Sequence, residues 1–64
     1  MLVIPVDVYD KEGNLLRIEY HDDTGKFHLQ SEWDPNDEQT HENRKEFRKW
    51  SNTMAKRLNF DITE

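Results

Sequence analysis

Leu15-Leu16-Arg17-Ile18-Glu19-Tyr20-His21 lies between two copies of one turn pattern, Asp10-Lys11-Glu12-Gly13 and Asp22-Asp23-Thr24-Gly25, set 12 residues apart. Within the segment Leu16, Ile18 and Tyr20 alternate with Arg17, Glu19 and His21, the period of a half-buried strand. The Asp heading each turn hydrogen-bonds its own backbone, and the Gly closing it takes a left-handed conformation, so each pattern reverses the chain. The segment therefore reads as the middle strand of a meander, with strands over 2–9 before it and 26–33 after it.

Loop lengths set a register. A three-residue loop, Lys11-Glu12-Gly13, pairs Tyr9 with Leu15 and aligns Val8 with Leu16, Val6 with Ile18 and Ile4 with Tyr20. A four-residue loop, Asp22 to Gly25, pairs His21 with Lys26 and aligns Tyr20 with Phe27 and Ile18 with Leu29. On this register Leu2, Ile4, Val6, Val8, Leu16, Ile18, Tyr20, Phe27, Leu29 and Trp33 share a core face. The opposite, wet face carries Asp7, Tyr9, Arg17, Glu19, His21, His28, Gln30 and Glu32. A slip by one residue would turn an apolar set outward. Pro5 has no N–H to donate to a ladder, which places the first strand at an edge or Pro5 near its start.

The core face needs a cover, and the remaining chain provides it. Phe47, Trp50, Met54 and Leu58 recur at i, i+3, i+7 and i+11, with Ala55 beside them, and form the expected apolar stripe of a helix. Two starts compete. Asp34-Pro35 has the form of a helix N-terminus, whereas Thr40 with Glu42 and Asn43 is a second cap, and the stretch 38–46 holds no apolar residue. Asn59 suits the C-terminal end, and Phe60 and Ile62 suit a packed tail or a fourth strand. The fold class expected is α+β: a three-stranded antiparallel β-meander covered on one face by a C-terminal helix over 41–58, or from 35, in one small domain.

Composition narrows function by exclusion. The chain has 64 residues, a net charge of -5, 33% hydrophobic and 36% charged residues, and no cysteine. Disulfide scaffolds, thiolate metal sites and thiol nucleophiles are excluded. There is no bilayer-spanning apolar run and no basic-then-apolar leader, so the expectation is a cytoplasmic protein without membrane contact. Gly13 and Gly25 are the only glycines and each has a turn to make, so no phosphate-cradling loop exists. Ser31 and Ser51 lack the context of a nucleophile. A two-layer domain this small offers no deep cleft, and the expectation is no enzyme activity and no cofactor.

Charge is uneven along the chain. Residues 1–43 hold 3 basic against 11 acidic side chains, and residues 44–64 hold 6 basic against 3 acidic. The expected function is a non-enzymatic binding or regulatory protein, of the size and profile of small phage or mobile-element accessory proteins. It would meet a protein partner through its acidic sheet face and turns, with Tyr9, Leu15, Arg17, Asp22, Asp23 and Trp33 as the contact residues and Val3 beside Tyr9 and Leu15 in an exposed apolar spot. Turn carboxylates could imitate phosphates toward a basic groove, although turns and caps favour Asp for backbone bonding alone. An alternative is nucleic-acid binding through the sheet or through Arg44, Lys45, Arg48, Lys49, Lys56 and Arg57, a strip opposite the apolar stripe that also suits a solvated helix face. Another alternative is a homodimerising module. For metal the expectation is none; His21, His28 and Glu19, neighbours on the wet face, are the residues that would take one.

Overall fold

The computed structural model describes residues 1–63. Strands β1 (Leu2–Tyr9), β2 (Leu15–His21) and β3 (Phe27–Glu32) form the antiparallel meander, helix α1 (His41–Arg57) follows, and β4 (Asp61–Ile62) closes the order. The sheet runs β3-β2-β1-β4, with β4 parallel to β1. This is the β-β-β-α arrangement expected, with the Phe60–Ile62 tail adding the short fourth strand.

Both turns are built alike. Asp10 Oδ1 accepts the N–H groups of Glu12 and Asn14, and Asp22 Oδ1 accepts those of Thr24 and Lys26. Gly13 and Gly25 sit at φ +84° and +87° and donate back to the carbonyls of Asp10 and Asp22. Asp22 N–H bonds the Lys26 carbonyl at 2.9 Å, so the second loop has three residues, as the first does, and not four. Each hairpin then carries a bulge at the same distance from its turn. Leu16 is the extra residue on β2 between the pairs Tyr9–Leu15 and Val8–Arg17. His28 is the extra residue on β3 between His21–Phe27 and Tyr20–Leu29.

The bulges correct the expected faces. Past Leu16, β1 pairs Asp7 with Ile18, Pro5 with Tyr20 and Val6 with Glu19. The helix side therefore takes Val3, Pro5 and Asp7 from β1, and Leu2, Ile4, Val6 and Val8 turn to the opposite side. Phe27, aligned with His21 and Ile4, goes with them. The slip by one residue occurs within a single strand, because a bulge inserts a residue that no partner matches. The core consists of Val3, Ile18, Tyr20 and Ala55, with Leu29, Phe47, Phe60 and Ile62 packed against it. Leu15 is buried, its N–H and C=O both bonded by the Gln39 side-chain amide.

The helix is also rotated from the expected stripe. Ser51 and Ala55 are its buried residues, and Trp50, Met54 and Leu58 are exposed. Small residues let the helix approach a sheet on which Tyr20 fills the space between the layers. The Tyr20 hydroxyl lies 2.7 Å from both Ser51 Oγ and Asn52 Oδ1, and Ser51 donates to Ser31 Oγ at 2.7 Å. The large apolar positions 50, 54 and 58 cannot enter that narrow gap.

Both helix ends follow local chemistry. Thr40 Oγ1 accepts the Asn43 N–H at 3.0 Å, which settles the start at Thr40. Asp34 instead accepts the Asn36 N–H in a turn, so Pro35 does not open the helix. At the other end Asn59 takes φ 69°, Phe60 N–H reaches the Ala55 carbonyl and Asn59 N–H reaches that of Lys56. That double bond pattern caps the helix and turns Phe60 back into the core.

Edges decide what else the sheet can pair with. The carbonyls of Met1 and Val3 accept from Asp61 and Thr63, so the odd residues of β1 point their backbone groups away from β2. Pro5 falls in that outward set, where its missing N–H costs the sheet nothing. On β3, Trp33 N–H bonds the Leu16 carbonyl, so Gln30 and Glu32 direct their backbone groups to the open edge.

Candidate protein-binding face

The helix covers one side of the sheet and leaves the other bare. Three cross-strand rows line the bare side: Ile4–His21–Phe27, Val6–Glu19–Gln30 and Val8–Arg17–Glu32, with Leu2 beyond the first. Leu2, Ile4, Val6 and Phe27 are 53, 42, 41 and 47% exposed. An apolar stripe on β1 thus runs beside a charged row on β2.

The charged row is ordered by its own contacts. Arg17 Nε donates to Glu19 Oε2 at 2.6 Å, and His21 Nε2 lies 2.9 Å from Glu19 Oε1. The hydrogen bond from Arg17, then that from His21, holds the Glu19 carboxyl below its ordinary range. His21 Nδ1 faces the Gly25 carbonyl at 3.2 Å, so both ring nitrogens meet acceptors. Glu19 first, and then this carbonyl, raise the His21 pKa above its ordinary value. The Phe27 ring meets the His21 ring edge-on at 5.8 Å and extends the row with an apolar end.

Several expected contact residues lie elsewhere. Leu15 and Val3 are core residues, so the small exposed patch expected of Val3, Tyr9, Leu15 and Arg17 does not form. Tyr9 is exposed on the helix side, where its hydroxyl meets Asp7 Oδ2 at 3.1 Å and Arg48 Nη2 at 3.2 Å. Trp33 packs edge-on against Phe47 at 5.1 Å and donates its indole N–H to the Asp37 carbonyl. Asp22 faces its own turn: hydrogen bonds from Thr24, then from His28, hold its carboxyl well below the usual range. Asp23 is exposed at the same tip. Arg17 alone of the six stands on the bare face.

The bulge at His28 also separates the metal-type trio. His28 Nε2 lies 2.8 Å from Asp22 Oδ2 and its ring packs near Phe60, while His21 stays with Glu19. Among the described residues no three histidine or carboxylate side chains converge as a metal-binding group.

The basic strip is likewise divided. Arg48 turns inward to Asp7, at 2.6 Å from Oδ2, and Arg44 donates to the Gln39 carbonyl at 2.6 Å. Lys45, Lys49, Lys56 and Arg57 remain exposed. Glu42 and Glu46, three residues before Lys45 and Lys49, form no ion pair with them among the described residues.

Sequence reasoning misses the apolar stripe of the bare face, since alternation alone assigns Leu2, Ile4 and Val6 to the core. The signal available was Asp7, which the inverted face pairs with Arg48. No helix is long and apolar enough to cross a membrane. No family model, no curated protein and no solved structure matches the chain.

Proposed function

We propose that this protein is a non-enzymatic binding module that docks a protein partner on the bare face of its sheet. The observation that carries the reading is the exposure of Leu2, Ile4, Val6 and Phe27 on one uncovered surface, beside the ordered Arg17–Glu19–His21 row. Apolar contact there supplies affinity, and the charged row selects orientation. A small accessory or inhibitory protein acts through such a face. Nucleic-acid binding is less well supported, because Arg44 and Arg48 are engaged within the fold and Glu19 and Glu32 occupy the sheet face.

The test is capture from a lysate of the cells that make the protein, comparing the wild type with an Ile4→Glu/Val6→Glu variant. Both side chains lie on the uncovered face, and the melting transition of the variant verifies that it folds. The partner is expected to be lost with the double substitution and kept when Lys56→Glu/Arg57→Glu is made. Undiminished capture by Ile4→Glu/Val6→Glu refutes the reading.

A further inference from the structure

On the helix side, away from the bare face, a groove of about 370 Å³ opens between α1 and the chain after β3. Phe47 and Trp50 form its apolar wall, their rings stacked with centroids 6.1 Å apart and planes 26° from parallel. Trp50 is 54% exposed, although a large aromatic at helical spacing ordinarily enters the core. Asp34, Asp37, Asn43 and Glu46 line it beside these rings, with the end of β3 at Glu32, whose carboxyl accepts from Gln30 on the bare face; no lysine or arginine lines the groove. None of the Asp34, Asp37 and Glu46 carboxylates takes part in an ion pair of the described residues, and the five pairs found all lie elsewhere. Lys45 and Lys49 flank Glu46 and Trp50 in sequence, yet neither lies within ion-pair distance of these carboxylates.

An exposed aromatic pair among carboxylates free of ion pairs is complementary to a cation, and best to a planar one. A guanidinium stacks on an indole face and donates in its own plane to carboxylates at the rim. The open edge of β3, where Glu32 directs its backbone groups outward, borders the same groove and can hold an extended backbone. We propose that this groove seats an arginine side chain from a basic segment of another protein, stacked on Trp50 with its guanidinium between Asp37 and Glu46.

The test is titration of the full chain with a tetra-arginine peptide, read by amide and indole NMR shifts. Saturable shifts centred on Phe47, Trp50 and the Trp33 indole are expected. Trp50→Ala is expected to weaken binding by about three- to tenfold. Asp37→Asn/Glu46→Gln is expected to weaken it by about tenfold, and a tetra-lysine peptide to bind less tightly. Ile4→Glu/Val6→Glu, on the opposite side of the sheet, is expected to leave binding intact, which separates this site from the bare face. Each altered residue is exposed, and an unchanged melting transition verifies the fold. The proposal is overturned by shifts spread evenly over the Asp10 and Asp22 turns, by affinity unchanged in Trp50→Ala or in the double variant, or by no saturable binding.

Discussion

Asp7 and Arg48 meet across 41 positions of chain, with Arg48 Nη2 at 2.6 Å and Nε at 3.2 Å from Asp7 Oδ2. The pair joins β1 to α1 at the margin of the core, and Tyr9 closes it from above. The Asp7 hydrogen bond also raises the Arg48 pKa above its already high ordinary value, so this cation stays charged. Arg48→Met removes the cation and keeps much of the apolar stem. The expected loss is about 1 kcal/mol, at the upper end for a part-exposed pair, measured by urea unfolding. A variant as stable as the wild type at low salt would show that the pair contributes nothing.

The buried polar contact under the helix is a second point of weakness. Tyr20→Phe removes the hydroxyl that faces both Ser51 and Asn52, and is expected to cost about 1–2 kcal/mol. Ser51→Leu is expected to cost more than Ser51→Ala, since Ser51 is fully buried against Tyr20 and Ser31 and a larger side chain forces the layers apart. Thermal melting of the three variants orders them, and equal melting of Ser51→Leu and Ser51→Ala would contradict the close approach described.

His21 makes stability depend on pH near neutrality. Its folded pKa lies above the ordinary 6.5, chiefly through Glu19. A raised folded value means that the contribution is complete below pH 6.5 and is lost as pH rises through the folded pKa. NMR titration of the His21 ring is expected to show the raised value in the wild type and a lower one in Glu19→Gln. Coincident titration curves would sever the link between the two residues.

Gly13 and Gly25 are expected to respond equally to substitution. A Cβ at either meets nothing within 4 Å, so the cost of Gly→Ala is that of the positive φ alone, about 1–2 kcal/mol at each site. Asn at the same positions is expected to recover part of the loss, because its side chain tolerates the left-handed region. A much larger loss at one turn than at the other, by chemical denaturation, would show that the two hairpins are not equivalent.

The meander, its turns and the helix over 41–57 were legible because each rests on a local rule: Asp and Gly in turns, period two in strands, Thr40 as cap. The faces of β1 and the helix were not. Alternation places Leu16 with Ile18 and Tyr20, but it has no marker for a bulge that makes Leu16 and His28 extra residues. Hydrophobic spacing favours Trp50, Met54 and Leu58 as the buried helix stripe, whereas the Tyr20 side chain on the opposing sheet leaves room only for Ser51 and Ala55. The contact residues followed the faces: Arg17 kept its place, Leu15 entered the core, and the Ile4–Val6 stripe came into view only with the register.

Pro5 gives the sheet a direction of growth. β4 occupies the start of the outer side of β1, and the next outward position has no hydrogen to offer, so a strand arriving there finds donors only at Asp7 and Tyr9. β3 has no such obstruction. If copies of this chain join by strand pairing, each has one open side to give, and the assembly closes at two instead of extending into a fibre.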